Sequence, residues 1–374
     1  MRRTLEGKLV VLAVTGSIAA VDCVRLAHEL RRKGADVQAV LSEAAAGIIS
    51  PEALTYATGR DTIRTITGHV EHVIYCGDER KADLLLIAPC TANTIGKIAC
   101  GIDDTPVTTF ATTALGSGQP IVLSPAMHHS MYRHPAVLRN LEILKGYGIE
   151  FIPPRIEEGK AKIASIDEIV LWSERAVSGR PLAGKKVLIT SGACREPLDD
   201  VRVLTTRSTG QMGREIALEA FRLGADVTVI HSGRFPGVRN VSVETAGEMM
   251  AAVQSELDCR VDIYISAAAI SDYAPDRIAG KIPSGREQEI TLRPLPKIID
   301  LALSKPAVRT IAFKLGNDAA LEGHELLRRG ASMVVANPPS VMGSSTGSFL
   351  LMGDGEELIL STKEEVAFEL CRRL

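Results

Sequence analysis

Residues 8–42 read KLVVLAVTGSIAAVDCVRLAHELRRKGADVQAVLS, and their pattern decides the architecture. An apolar run without polar alternation leads into Thr15-Gly16-Ser17. A helix-period stretch then carries Asp22 and Arg25 on its polar side, and a second apolar run comes after Gly34. Strand, turn, helix and strand is the reading that fits each period. Strands apolar on both faces need helices on both faces, which is the condition of a buried parallel sheet. The plan returns at 185–232 as KKVLITSG, GQMGREIALEAFRLG and ADVTVIHSG, with GADVQAV echoed by GADVTVI. Two separate doubly wound units are expected.

Further strands are expected at ADLLLIAP, QPIVLSPAM and IEFIPP in the first half, and at NVSVETA, VDIYISAAA, RTIAFKLG and SMVVANPP in the second. Helical patterns at 134–146 and 295–304 lie between them. SFLLMGDGEELILS places Asp-Gly between alternating segments, a hairpin signature, and a closing helix is expected at 362–373. VSGRPLAGKK at 177–186 reads as the linker, giving domains 1–178 and 179–374. The fold class is α/β: two doubly wound, Rossmann-like, three-layer domains. A chain of 374 residues is long for one core and comfortable for two.

Composition excludes several classes. The formal net charge is −2, so no basic excess points to nucleic acid. No run reaches the roughly 18 apolar residues of a membrane span. The first apolar stretch has the look of an export signal, but Thr15, Gly16 and Ser17 interrupt it and an amphipathic helix comes next, so export is not expected. Seven cysteines are spread along the chain without a CxxC pair, which suits a reduced, cytoplasmic setting and not a zinc site.

Open α/β sheets take ligands beyond the carboxyl ends of their strands, where helix N-termini offer N–H groups. TGSIAA (15–20) is such a place: Gly16 permits close approach, Ser17 caps, and the N–H groups of Ile18 and Ala19 suit a phosphate. It is not GxGxxG, so a dinucleotide is not indicated. Ser42 ends a second strand; Thr91 and Asn93 stand just past a third; Asp103 and Asp104 lie in GIDDTPVT; Ser124 and Met127 close a fourth. Taken alone each is an ordinary cap, but together they make five polar strand ends on one edge. EHVIYCGDERKADLLLIAP adds His72 ahead of a strand, across a slightly extended loop.

These residues resemble a known family. TGSIAA, the histidine before the strand, APCTANTIGKIACGIDDTPVT and PAMHHSMYRHP are similar to the flavin-containing cysteine decarboxylases. KKVLITSGACREPLDDVRVLTTRSTGQMG, SAAAISDYAPDRIAGKI and VVANPPS resemble the phosphopantothenate–cysteine ligases, and the two occur here in the order of the bifunctional coenzyme A biosynthesis proteins. The resemblance spans nearly the whole chain. It implies a flavodoxin- or flavin-decarboxylase-like domain binding FMN, then a ligase domain using a nucleoside triphosphate, usually CTP, with Mg2+ on ligands it does not specify. The ligase would activate 4′-phosphopantothenate as an acyl-cytidylate for attack by cysteine. Decarboxylation would then yield 4′-phosphopantetheine. Loss of CO2 from a cysteine-derived carboxylate needs an electron sink that side chains lack and a flavin has. By resemblance, the flavin would contact Gly16, Ser17, Ile18, Ala19, Ser42, Thr91, Asn93, Asp104, Ser124 and Met127.

His72 is the catalytic histidine by position, and an imidazole carries protons near neutral pH. The family asparagine that holds the substrate carboxylate is His128 here, able to donate the same hydrogen bond with a different shape. His129 is expected to be exposed and His69 to be a surface residue. The clamp segment RIEEGKAKIAS (155–165) lacks the family cysteine, leaving Lys160 or Lys162 as proton donors. In the ligase half the resemblance assigns Ala267, Ala268, Asp272, Lys281, Pro296, Lys297, Ile298, Ile299, Phe313 and Arg329 to the nucleotide, with Lys281 also catalytic. It assigns Ser208, Gly210 and Asn337 to the phosphorylated substrate. Departures from the family are Thr206 for asparagine, Gln211 for lysine, and Glu325 near another lysine. The resemblance also implies a homo-oligomer of trimeric decarboxylase and dimeric ligase units. Alternative readings are a non-catalytic flavin-binding regulator and a flavin prenyltransferase-like enzyme, which would leave residues 185–374 without a task.

Overall fold

The computed structural model describes residues 2–157, 160–285, 287–353 and 355–374, with Glu157 and Lys160 described by backbone alone. Two compact units result, Met1–Gly179 and Arg180–Leu374.

The first unit is built on a parallel five-stranded sheet in the order Asp36–Leu41, Leu9–Val14, Leu84–Cys90, Ile121–Pro125 and Glu150–Phe151. The unbroken apolar runs have a direct explanation. Val10, Leu12 and Val14 face one core with helices Cys23–Arg32 and Ile166–Val177, while Val11 and Ala13 face another with Pro106–Gly116 and Pro135–Gly146. Alternation over two covered faces makes every position apolar. Full burial of a residue such as Leu12 contributes roughly 1.5–3 kcal/mol. The strand order reverses between Leu9–Val14 and Leu84–Cys90, the switch point where doubly wound sheets bind ligands.

The second unit places six parallel strands in the order 239–242, 226–231, 186–190, 263–266, 309–315 and 333–337, continued by the antiparallel pair 346–352 and 358–362. Numbered along the unit, this is the dinucleotide-type order 3-2-1-4-5-6 with an added hairpin. The hairpin expected from Asp-Gly is present as a strand pair; Asp354 itself lies outside the described residues.

Two local expectations need correction. Residues 17–33 do not form one helix: a 3-10 turn, Ile18–Asp22, precedes the α-helix Cys23–Arg32. The 295–304 pattern gives a helix only at Ile299–Leu303, because Pro296 disfavours helix at Leu295, whose N–H instead donates to the Asp272 carbonyl at 2.8 Å. His72 stands in the helix Glu71–Cys76, ahead of the loop that leads to the strand Leu84–Cys90. Among the described residues no helix is long and apolar enough to cross a membrane.

Candidate active sites

Thr15, missed in the sequence, joins the ends of two strands in the first unit. Its hydroxyl donates to Pro89 O at 2.8 Å and accepts from the Thr91 N–H at 3.0 Å. Three hydroxyls then cap the helical turns that leave the strand ends. Ser17 accepts from the Ala19 N–H at 3.5 Å, Ser42 from Ala45 at 3.2 Å and Thr91 from Thr94 at 3.3 Å. All three caps border one cavity of about 510 Å³, with Gly16, Asn93 and Met127. A second cavity of about 1030 Å³ shares Ser42, Glu43 and Thr105 as walls and reaches Glu71 and Asp104. Lys97, also not anticipated, borders the first cavity and pairs with Asp104 at 2.7 Å. Of the remaining expected flavin residues, Ile18 and Ala19 stand outside the walls, Ile18 being 77% exposed. Ser124 is fully buried and lines neither cavity, its Oγ without a partner.

His72 does not line either cavity. It is half-buried, and its Nδ1 is buried without a hydrogen-bond partner. The helix that carries it starts under constraint: Val70 adopts φ 47°, ψ 50°, a left-handed conformation that a β-branched residue strongly resists. Such outliers gather at functional sites. Glu71 accepts from the Thr67 N–H at 2.9 Å and from its hydroxyl. Burial raises the Glu71 pKa, but these hydrogen bonds outweigh it and hold the carboxyl below its ordinary value.

His128 is exposed and caps the helix His129–Tyr132, its Nδ1 accepting from the Ser130 N–H at 3.3 Å. Ser130 Oγ also lies 2.8 Å from the same Nδ1, so both contacts to Ser130 use one ring nitrogen. His129, expected to be exposed, is half-buried with an unpartnered Nδ1. The clamp folds as two short strands, Arg155–Glu157 and Lys160–Lys162, and the second pairs with Met127–His128 so that backbone 160 lies opposite 128. Lys162 lies opposite Arg155. Glu158, Gly159 and the Lys160 side chain lie outside the described residues.

In the second unit Ser208, Gly210, Ala267, Ala268, Phe313 and Asn337 meet around a cavity of about 120 Å³. Gly213 allows this: a Cβ there would stand 2.3 Å from Ser191 Oγ, so only glycine lets the helix Gln211–Arg222 pack on the strand end. Thr206, at the family's asparagine position, donates to Ala269 O at 3.1 Å, while the Ala269 N–H reaches Gly192 O at 2.8 Å. The other expected nucleotide residues stand outside this cavity. Asp272 and Lys297 form an exposed ion pair; Ile298 is buried, Pro296 exposed, and Ile299 opens a helix. Arg329 pairs with Asp300 at 2.6 Å, and Glu325 with Arg328 at 2.7 Å.

Lys281 is exposed on a loop secured by its neighbour. The Ile282 N–H donates to Asp199 at 3.0 Å, and Asp199 also accepts from Val201, Arg202 and the Arg202 guanidinium. Led by the Ile282 bond, these donors outweigh burial and hold the Asp199 carboxyl far below its ordinary range. Among the described residues no cluster of three or more His, Cys, Asp or Glu is arranged for a metal.

A family model described as Flavoprotein matches residues 1–178, and one described as DNA/pantothenate metabolism flavoprotein C-terminal domain matches 182–374. The coenzyme A biosynthesis bifunctional protein CoaBC of Thermococcus kodakarensis is 48% identical, over 98% of this chain and 95% of its own length. The chain belongs to this bifunctional family. The proteins of the same name from Bacillus subtilis and Escherichia coli are 31% and 30% identical, over 99% and 98% of this chain and 97% and 96% of theirs. A crystal structure of the C-terminal domain of such a protein is 32% identical over 52% of this chain and 95% of that one, with a TM-score of 0.44. As a member of the bifunctional family, the chain is a coenzyme A biosynthesis enzyme that combines FMN-dependent decarboxylation with ligation.

Proposed function

We propose that the second unit joins cysteine to 4′-phosphopantothenate with CTP and Mg2+, and that the first unit removes the cysteine carboxylate to give 4′-phosphopantetheine. The observation that carries the first half is the convergence of Ser17, Ser42 and Thr91 on one cavity at the sheet's switch point. The cavity suits FMN. Its volume falls within the roughly 300–1,000 Å³ of small-molecule sites, and hydroxyls, Lys97 and helix N-termini supply donors for a phosphate and a polar chain. When bound, FMN supplies the reversible electron sink that decarboxylation beside a thiol requires. Thr15 keeps the two strand ends together, and Gly16 brings the turn against Ala44. His72 carries the proton at the substrate, its buried Nδ1 awaiting a partner. His128 offers Nε2–H to the substrate carboxylate, in place of the family's amide.

In the ligase unit, Ala267 and Ala268 leave room for the nucleotide to approach the backbone, and Phe313 packs against it. Asn337 and Ser208 face the phosphorylated substrate. Lys281, on the loop tied to Asp199, closes on the triphosphate as the carboxylate attacks the α-phosphate and expels pyrophosphate, leaving the acyl-cytidylate. Cysteine's amine then displaces CMP. Mg2+ needs few protein ligands, because it keeps waters and rides on substrate phosphates. A homo-oligomer with trimeric decarboxylase and dimeric ligase units fits the exposed Ile18, Val21 and Val73 beside the flavin turn and His72, which a neighbouring copy would cover. A cytoplasmic setting fits seven free cysteines.

The test is to incubate purified protein with phosphopantothenate, cysteine, Mg2+ and either CTP or ATP and to identify products by mass. Phosphopantetheine, CMP and CO2 are expected with CTP. Accumulation of the cysteine adduct, or protein that stays colourless after reconstitution with FMN, refutes the decarboxylase half.

A further inference from the structure

Lys363 is a cation in a place where local electrostatics oppose it. It is the first residue of the helix Lys363–Arg372, which Thr362 and Glu365 cap as a reciprocal box. A helix N-terminus carries partial positive charge, so lysine there lowers stability. The residue is also only 7% exposed. Burial pulls its pKa below the ordinary lysine value, with Glu215 acting in the opposite direction. Among the described residues Nζ forms no ion pair, and its contact with Gln211 Oε1, at 3.5 Å, is at the limit of a hydrogen bond.

The surroundings give that charge a purpose. Lys363 borders the ligase cavity together with Gly210 and Gln211, where the helix Gln211–Arg222 begins. No acidic side chain is among the described residues lining the cavity. Its other lysine, Lys314, is already paired with Glu322. The start of the helix Gln211–Arg222, the Lys363 ammonium, the Ser208 hydroxyl and the Asn337 amide therefore face one small space whose described lining carries no carboxylate, while Glu215 and Glu365 act on the lysine and its helix start from outside that lining.

We propose that Lys363 is a phosphate-binding residue of the ligase site, its ammonium meeting a phosphate oxyanion held at the start of the helix Gln211–Arg222. This rests on the ligase reading above. The oxyanion can belong to the phosphate monoester of the pantothenate substrate or to the nucleotide triphosphate, and the experiment separates them. Gln211 supplies no charge, and Lys363, contributed from 152 residues along the chain, brings a cation to the cavity beside this helix start.

The test compares full-length wild type with Lys363→Met, which keeps length without charge, and Lys363→Arg. Ligase kinetics are measured with phosphopantothenate and CTP varied in turn, and thermal melting is monitored with and without inorganic phosphate. For Lys363→Met, a KM raised about tenfold or more, with kcat within about threefold, is the expected loss of a charge-assisted contact. A rise for phosphopantothenate assigns the monoester; a rise for CTP assigns the triphosphate. Lys363→Arg should recover part of the loss. Without phosphate the Met variant should melt no lower than wild type, since it removes a buried charge, and added phosphate should raise the wild-type midpoint alone. Unchanged KM values, or equal phosphate stabilisation of both proteins, overturn the proposal. Lack of ligase activity in the wild type would instead defeat the reading of the site, and the phosphate melting comparison would still decide the role of Lys363.

Discussion

Gly16→Ala is the sharpest perturbation of the proposed flavin turn. Gly16 is not among the positive-φ glycines, so its role is steric rather than conformational. A Cβ there would stand 2.5 Å from Ala44 Cβ, 3.3 Å from Ala44 C and 3.4 Å from its Cα. Carbon atoms in contact rest about 3.5–4.0 Å apart, so the turn and the helix Glu43–Ala46 must separate by about 1 Å. One inserted methyl in a close-packed site costs roughly 1–3 kcal/mol. Each kcal/mol lowers Tm by roughly 2–4 °C in a unit of this size, which places the first-unit transition about 2–12 °C below wild type. Because Ser17 and Ser42 flank the contact, the same separation should weaken FMN by about tenfold, equivalent to about 1.4 kcal/mol. Adding Ala44→Gly removes the receiving Cβ and should restore most of both losses, less about 1 kcal/mol for glycine in a helix. Flavin fluorescence titration and calorimetry read the two effects, with ligase turnover as the internal control. A Gly16→Ala protein with wild-type flavin affinity and melting, or a double variant no better than the single one, would refute the steric argument.

His72→Asn should retain flavin while CO2 release falls about 100-fold or more, the usual loss for a positioned acid or base; unchanged release removes His72 from the chemistry. His128→Asn preserves both the cap and a donor and should keep activity within about tenfold, whereas His128→Leu loses the cap, worth about 1 kcal/mol, and most of the activity; equal rates for the two would sink the donor role. Asp199, with its folded pKa depressed, stabilises the ligase unit above the ordinary carboxylate range of about pH 4, and that contribution drains away as pH falls. Urea midpoints between pH 7 and 3 should therefore fall more steeply in wild type than in Asp199→Asn; parallel curves would contradict it. Burial pushes the Cys23 and Cys76 thiols up to about 12, whereas Cys100 and Cys259 are exposed. Only those two exposed thiols should react quickly with a disulfide reagent at pH 8 in native protein, and rapid labelling of Cys23 or Cys76 would contradict the buried core.

Strand and helix identities are legible in the chain because they are written in local periods. Val10 to Val14 can be uniformly apolar only between two helical layers, and the Asp-Gly hairpin needs only neighbouring residues. The polar strand ends are legible for the same reason, since a cap acts within four residues. Thr15 stands in plain view, but its bond to Pro89, 74 residues away, does not. The 295–304 pattern misleads because a proline and a distant carbonyl at Asp272 outweigh helical propensity. The helix under His72 is not legible, because the positive φ of Val70, which launches it, is not a conformation that valine announces.

Two α/β units with capped strand ends can be read along the chain, since apolar period and capping chemistry depend on near neighbours. Which ends share a cavity, the tie between Asp199 and the loop of Lys281, and the reach of Lys363 to Gln211 all arise from packing in three dimensions. Strand order and packing set such distances, and no local period encodes contacts between residues 83 or 152 positions apart.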